Sequence, residues 1–494
     1  MVLSGKFNDQ YWKEYHKIIN HAGYSAIPEE GSEPSLVAAV INRKIVLDYN
    51  PYLNTSSYVE VEHSQQELDL AARGLSINLA DQTIYTHVFG IHNELVNMVA
   101  QLWNCPLDTD TKGQSQHIGS CTVGSTEACL LSGIALRERW RRWYSEKHGI
   151  TKKDILGVKP NIVISSCYQA AWEKFFRFFD VEPRVILGTR ASFELDVSQL
   201  DQKIDDKTIG VVGILGNHYG GQFDSIQAIH DECAKINKEK STQVGIHIDA
   251  ASGGFIAPFL PDMPAWDFRL PLVLSISASG HKYGEAVAGT GWVIWRHYKN
   301  LSEYVATEVT YLGGKSSSYS LNFSRPASSV ISQYYNFLTK GMAGYRENAL
   351  AALSCAAYLR TKLLNMSYRG LPRFECLDSA DLPVVAMRLN PKLNLSYNDI
   401  DLQNALSAHQ WYVSGYHMSF LDPENDYMET PLFSDAKSTD TMFRVVVKHV
   451  ITMPMINDLV EAFEKSLSHL DKGGRVMPSK MTRDDNAKNV AQSC

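Results

Sequence analysis

The chain has 494 residues, 44% of them hydrophobic and 20% charged, and a formal net charge of −7. This is the composition of a globular chain with ample apolar material for a core, long enough for two or three domains. The acidic balance gives no reason to expect a nucleic-acid partner, and the eight scattered cysteines show no CxxC or Cys/His spacing, which points to reduced thiols rather than a disulfide framework or metal site.

Residues 1–60 carry aromatics and charges without a sheet pattern. They read as an N-terminal arm that packs on a partner subunit. The first residues lack the apolar core of a signal peptide, and no run of 18 apolar residues occurs, so a cytoplasmic location without membrane contact is expected. From about Gln65 to His148, helix-like periodicity dominates. Within it, Thr122-Val123-Gly124-Ser125-Thr126-Glu127-Ala128 is a glycine and hydroxyl turn that opens a helix near Thr126. Such an N-terminus offers free N–H groups and a positive dipole end to a phosphate, although Ser and Thr also cap helices that bind nothing. The run Arg137-Glu138-Arg139-Trp140-Arg141-Arg142 reads either as an anion patch or as the solvated face of that helix.

Short apolar runs then alternate with helical segments: Asn161–Ser166, Arg184–Leu187, Thr208–Leu215, Gly245–Asp249, Leu272–Ser277 and Gly291–Trp295. Runs of this kind predict the buried strands of a mostly parallel sheet with helices on both faces, an α/β domain. After about Gly344, the strand-like runs Leu382–Leu389 and Met442–Val447 among helices predict a smaller α+β domain. From Lys472 the sequence is polar and reads as a flexible tail. The expected boundaries are residues 1–60 for the arm, 61–345 for the large domain, 346–470 for the small domain and 471–494 for the tail.

Two residues carry the chemistry. Asp249 ends one apolar run, and Lys282 stands 33 positions later in Ser277-Ala278-Ser279-Gly280-His281-Lys282. Both fall where ligands bind in α/β sheets, beyond the carboxyl ends of strands. An acid and an amine so placed suit pyridoxal 5'-phosphate. The amine bonds the cofactor aldehyde, and the carboxylate keeps a proton on the pyridine nitrogen so that the ring accepts electrons from an amino-acid α-carbon. With the turn at Gly124, the order is phosphate loop, acid, lysine.

The chain resembles the glutamate decarboxylases, group II pyridoxal-phosphate-dependent amino-acid decarboxylases of fold type I, most closely those of bacterial and plant type. The resemblance runs from about Leu36 to Leu470. It rests on Val96-Asn97-Met98-Val99-Ala100, Gly124 to Cys129, His247 to Phe259, Trp266 to Pro271, Ser275 to Lys282, Gly291 to Arg296 and Asn322 to Ala327. It implies decarboxylation at the α-carbon of glutamate or a related acidic amino acid. Lys282 then holds the cofactor and Asp249 its pyridine nitrogen. Ala251 and Gln169 cover its two faces, and Ser125, Thr126, Ser279 and His281 bind its phosphate. Ser324 reaches a phosphate in the neighbouring subunit, which implies at least a homodimer, with hexamers in the family's range. Arg444 holds the substrate α-carboxylate. Tyr311, on a loop with paired glycines, is either a proton donor to the α-carbon or a packed loop tyrosine.

The sequence departs from the family at the substrate end. Ser57 and Tyr58 stand where the family has Thr-Phe in the distal-carboxylate pocket, and Asp81 aligns with an acid of that pocket. The loop Asn78-Leu79-Ala80-Asp81 is short, and Tyr85 to Gly90 is bulkier than the family pattern. His218, in Gly216-Asn217-His218-Tyr219, replaces a threonine and titrates near neutral pH. It either replaces a hydrogen bond or redirects the carbanion, toward oxidative deamination, transamination or condensation. Residues 490–494 lack the family's penultimate histidine and calmodulin-binding cluster. The alternatives are therefore a related enzyme with another substrate or carbanion fate, and a cofactor-binding protein without turnover. A nicotinamide dehydrogenase is disfavoured by the lack of a Gly-x-Gly-x-x-Gly turn between a strand and a helix.

Overall fold

The computed structural model describes residues 26–109, 115–189, 192–301, 307–309 and 316–474. Tyr311 and residues 475–494 of the expected tail lie outside them. By its contacts the chain divides into two compact units, Met1–Asn54 and Thr55–Cys494. In the first, helix α1 (Pro34–Ile45) starts at proline, and the side chain of its N-cap Glu33 accepts a hydrogen bond from the Leu36 N–H. Proline at the first turn loses no helical hydrogen bond, and the carboxylate satisfies an orphan donor.

The second unit opens with α2 (Gln65–Gly74) and α3 (Thr86–Leu102). It then builds a seven-stranded sheet from β1 (Ile118–Val123), β2 (Asn161–Ser165), β3 (Glu182–Ile186), β4 (Thr208–Ile214), β5 (Gly245–Asp249), β6 (Val273–Ser279) and β7 (Thr290–Trp295). The order across the sheet is β1-β7-β6-β5-β4-β2-β3. Neighbours from β3 to β6 pair in parallel, and β7 runs antiparallel to both β6 and β1. β2, β4, β5, β6 and β7 are buried along their whole length, which is why they read as continuous apolar runs.

β1 corrects the expectation of helical structure through His148. Its sequence, Ile118-Gly119-Ser120-Cys121-Thr122-Val123, is small and polar enough to hide the strand signal. Close packing requires those small residues. A Cβ on Gly119 would lie 2.7 Å from the Val293 carbonyl oxygen and 3.0 Å from a Val96 methyl, so glycine lets β7 and α3 approach the strand.

The helix α4 (Gly124–His148) follows β1 at once. Its arginine run is half-buried at Arg137, Arg139 and Arg141 and exposed at Arg142. Arg137 donates to the Phe179 carbonyl at 3.1 Å, Arg139 to that of Gln243 and Arg142 to that of Lys299, while Arg141 pairs with Glu138. Buried Trp140 donates to the Asp206 carbonyl at 2.8 Å. The run ties α4 to neighbouring chain segments. Helices α5 (Ala170–Phe179) and α6 (Ile226–Lys240) complete the connections between strands.

Helix α7 (Ser328–Leu364) is broken at Gly341, whose φ of 56° and ψ of −174° are not helical. Beyond it, β8 (Phe374–Cys376), β9 (Val384–Leu389), β10 (Ser414–His417) and β11 (Thr441–Val446) form a four-stranded antiparallel sheet in the order β8-β9-β11-β10. Helices α8 (Asp399–Ser407) and α9 (Met453–Asp471) pack with it. The two strands expected in this region are β9 and β11.

The turn at Gly124 depends on a second glycine. A Cβ on Gly291 would lie 2.3 Å from the Gly124 carbonyl carbon, a backbone atom that cannot swing aside. Gly291→Ala is expected to destabilise the fold by about 1–3 kcal/mol through overpacking. A lowered midpoint of thermal unfolding checks this; an unchanged midpoint contradicts the close approach.

Candidate active site

The site gathers at the carboxyl ends of adjacent strands. Cys167–Gln169 follow β2, Gly216–His218 follow β4, Asp249 ends β5, and Ser279 ends β6 three residues before Lys282. Because β1 lies parallel to β6, the start of α4 opens on the same side. The parallel topology thus converts segments distant in sequence into one rim.

Asp249 is 1% exposed. Its Oδ2 accepts hydrogen bonds from the Trp172 indole N–H at 2.9 Å and the Gln169 amide at 3.2 Å, and its Oδ1 accepts one from the Ala251 N–H at 3.1 Å. A carboxylate offers about four lone-pair positions, so one remains on Oδ1 for a further N–H donor. Beneath it, buried His247 bonds to Ser275 Oγ at 2.8 Å and Ser277 Oγ at 3.1 Å. Burial lowers the His247 pKa to about 4 despite the nearby Asp249 charge, so the imidazole is neutral.

Lys282 is buried, and its Nζ donates to Ser252 Oγ at 3.3 Å. The same Nζ lies 5.0 Å from the ring centroid of Tyr58, and the Arg444 guanidinium carbon lies 5.0 Å from that same centroid. One buried aromatic ring therefore borders both cations, a favourable quadrupole arrangement. Arg444 projects from β11 and donates to the carbonyls of His218 and Ser56, while its Nε has no partner among the described residues. The Tyr58 hydroxyl is likewise buried and without a partner there. Burial raises its pKa against the opposing charge of Arg444, so it stays protonated as a donor. Two buried polar groups beside the lysine thus await hydrogen bonds.

The start of α4 carries no side-chain cap. Gly124 has a φ of +68°, in the left-handed region that favours glycine. Ser279 Oγ donates to Ser125 Oγ at 2.8 Å, and a Cβ on Gly124 would be 3.6 Å from His281 Cε1. Thr126 is half-buried one residue further along. The His281 Nδ1–H donates to the Thr290 carbonyl at 2.6 Å. Burial, aided by the Lys282 charge, lowers the His281 pKa to about 4. Its Nε2 then carries a lone pair and donates to an anion only after taking up a proton.

The remaining expected residues are placed as follows. The half-buried His218 ring lies tilted against that of Tyr219 with centroids 4.0 Å apart, and its carbonyl receives Arg444. Ser57 Oγ accepts the Val59 N–H at 3.2 Å. Asp81 and Ser324 meet through Asn78, whose amide reaches Asp81 Oδ2 at 3.2 Å and Ser324 Oγ at 3.3 Å. Sequence reasoning passed over Trp172 and Ser252 as contributors. Trp172 was visible only as an aromatic near Gln169, and Ser252 only as part of the motif after Asp249.

A pyridoxal-dependent decarboxylase conserved domain matches residues 68–390. A probable glutamate decarboxylase gamma of Listeria monocytogenes is 38% identical over 392 residues, 79% of this chain and 80% of that one. A glutamate decarboxylase of Lactococcus lactis is 34% identical over 90% of each chain. Among solved structures, the Lactobacillus brevis glutamate decarboxylase superposes with a TM-score of 0.82 at 31% identity, over 92% of this chain and 96% of that one. The fold is that of a fold type I pyridoxal-phosphate enzyme, with a large mostly parallel sheet and a smaller C-terminal domain. This chain belongs to the pyridoxal-dependent decarboxylase family.

The residues present fit that cofactor. The spare Asp249 lone pair suits a pyridinium N–H, Lys282 is a buried primary amine, and the uncapped helix start with Ser125 and Ser279 suits a phosphate. Trp172→Phe removes one donor from Asp249 while keeping an aromatic ring. A hydrogen bond to a charged group contributes about 1.5–3 kcal/mol, so cofactor affinity should weaken roughly tenfold to a hundredfold. Titration of the cofactor-free protein, followed by absorbance, measures this; wild-type affinity would show that the indole N–H does not steady the carboxylate.

Proposed function

We propose that this enzyme removes the α-carboxylate of glutamate or a related acidic L-amino acid, releasing carbon dioxide and the amine. The observation that carries the reading is the row Lys282, Tyr58, Arg444, in which amine, ring and carboxylate-binding cation adjoin, on the rim where Asp249 ends β5. Bound pyridoxal phosphate supplies an aldehyde for the amine and a conjugated ring that takes up the electron pair left by departing carbon dioxide.

In this reading, Lys282 holds the cofactor and yields it to the substrate amine. Asp249 keeps the proton on the pyridine nitrogen, with Trp172 and Gln169 fixing the carboxylate. Ala251 and Gln169 border the ring's faces. Ser125, Thr126, Ser279 and His281 hold the phosphate at the start of α4, His281 gaining a proton as it binds. Arg444 already donates to two backbone carbonyls and turns its remaining donors to the α-carboxylate. The Tyr58 hydroxyl, buried without a partner, donates to the substrate, and Ser57 and Asp81 serve its distal carboxylate. Tyr311 delivers the proton to the α-carbon. His218 contributes its carbonyl to Arg444 and its ring to the pocket wall.

The active unit is at least a homodimer, with Ser324 facing a phosphate of the neighbouring subunit. Exposed Leu321 and Phe323 flank Ser324, and apolar surface of this kind favours coverage by a second copy. The location is cytoplasmic; among the described residues no helix is long and apolar enough to cross a membrane. A second reading keeps the cofactor chemistry with a neutral or aromatic substrate. Tyr58 and Tyr416 beside Arg444, at 5.0 and 5.9 Å, together with Tyr219, favour it.

Carbon dioxide, ammonia and oxygen consumption are to be followed across a panel of amino acids, in air and anaerobically. Glutamate or another acidic amino acid should release carbon dioxide without oxygen uptake, and Lys282→Ala should abolish release. Release from aromatic amino acids alone selects the second reading, and oxygen uptake with ammonia shows a redirected carbanion. Arg444→Gln should raise KM roughly tenfold to a hundredfold, the loss of charge-assisted bonds to a carboxylate. An unchanged KM removes Arg444 from the substrate site.

A further inference from the structure

Behind the row of active-site residues lies a cluster of buried charges that the reaction as described does not use. Residues 55–60 form a strap tied to β11 and the residues beyond it at successive alternate positions. Arg444 donates to the Ser56 carbonyl, the Val446 N–H to the Thr55 carbonyl at 2.8 Å, and Lys448 to the Val59 carbonyl at 3.2 Å. On its other side the strap meets the lysine loop, the Glu60 N–H donating to the His281 carbonyl at 2.8 Å. The same loop carries Glu285, three residues beyond Lys282, at a φ of 59°.

His449 stands where these segments converge. Its Nδ1 lies 3.2 Å from Glu60 Oε2 and 3.7 Å from Glu285 Oε1, and its Nε2 lies 4.0 Å from Glu62. The Glu60 and Glu285 side chains are 2% and 4% exposed, so water compensates neither. Glu60 Oε1 is occupied by the N–H groups of Val61 and Glu62, which leaves Oε2 for His449. Glu285 pairs with Lys340 and accepts from Asn348 at 2.9 Å. Those two residues flank the break at Gly341, so the interrupted helix aims both at one carboxylate. Asn336 of α7 also holds the Glu285 carbonyl and Glu67 Oε1, each at 2.9 Å.

We propose that His449 is a positioning residue whose imidazolium, held between Glu60 and Glu285, fastens the strap that carries Tyr58 and receives Arg444 to the loop that carries Lys282. The inference rests on the roles given above to Lys282 and Arg444. The groups that face His449 are Glu60 from the strap, Glu62 just beyond it, Glu285 from the lysine loop and Lys340 from α7. Burial lowers its pKa, but the hydrogen bond with Glu60 and the charges of Glu285 and Glu60 outweigh burial and the repulsion of Lys340, and the net shift is upward. Burial raises the Glu60 pKa, and His449 with the two backbone donors brings it down to about 2. The signs define a window. His449 has a raised pKa in the folded state, so its contribution is complete below the ordinary imidazole range and is lost as pH rises through the folded value. Glu60 has a depressed pKa, so its contribution is lost only as pH falls toward 2.

The test compares the wild-type holoenzyme with His449→Gln and His449→Lys in kcat and KM across pH. Where wild-type His449 is charged, His449→Gln should lower kcat/KM about tenfold, the worth of a charge-assisted bond. At alkaline pH the two profiles should converge, because the wild-type histidine is then neutral as well. The ammonium of His449→Lys should restore activity and carry it to higher pH. Wild-type kcat/KM in His449→Gln at every pH overturns the proposal. So does a His449→Lys profile with the wild-type alkaline limb, and that arm decides the matter if the glutamine variant does not fold. Thermal melts of cofactor-free protein and the pH titration of the bound cofactor's visible absorbance are followed in parallel. The glutamine variant, or the lysine variant in its place, should shift both. Melts that shift while absorbance and kcat/KM do not show a purely structural cluster and overturn the positioning role. If the wild type decarboxylates no amino acid, the functional reading fails, and the melts and absorbance still decide the cluster by the same criterion.

Discussion

The structure turns on one buried carboxylate. A lone charge in an apolar interior costs several kcal/mol, and Asp249 sits at the end of a fully buried strand at 1% exposure. Its compensation comes from a helix, a turn and a loop: Trp172 on α5, the Ala251 N–H and Gln169. Trp172 and Gln169 reach it only because β2 and β5 lie two strands apart in one parallel sheet with their carboxyl ends aligned. The same topology brings the carboxylate to the rim on which Lys282 and the start of α4 also lie.

A second layer concerns cations. Lys282 follows β6 of the large sheet, Arg444 lies on β11 of the smaller one, and both are buried. The Tyr58 ring borders both at 5.0 Å, and carbonyls of Ser56 and His218 receive the guanidinium. The strap that supplies Ser56 and Tyr58 has no regular secondary structure between Thr55 and Glu60. Its placement is therefore set by partners on either side, β11 with its exit and the lysine loop. That dependence is why the cluster around His449 bears on the reaction rather than on folding alone.

Much of this was legible in the residues. Six sheet strands announced themselves as apolar runs, because β2, β4, β5, β6 and the antiparallel β7 are buried on both faces and have no polar side to show. Asp249 and Lys282 stood out because a strand end followed by Ser-Gly-His-Lys carries chemistry-bearing groups where packing does not need them. Other features were hidden for physical reasons. β1 is an edge strand whose Gly119 and Ser120 exist to admit neighbours, so its composition mimics a loop. The arginines of α4 looked like a charged surface, but their partners are backbone carbonyls contributed by folding, which have no identity in sequence. The pairing of Trp172 with Asp249 spans 77 positions and exists only once α5 has docked. The meeting of His449 with Glu60 is longer still in sequence, and neither residue belongs to a motif.

The central claim, that Lys282 carries the cofactor at the rim defined by Asp249, is tested most directly by chemical fixation. Borohydride reduction of the holoenzyme, followed by digestion and mass spectrometry, should place a phosphopyridoxyl group on the peptide containing Ser279-Gly280-His281-Lys282, at Lys282 alone. A stoichiometric adduct on another lysine, or none in a protein that binds the cofactor, would contradict it.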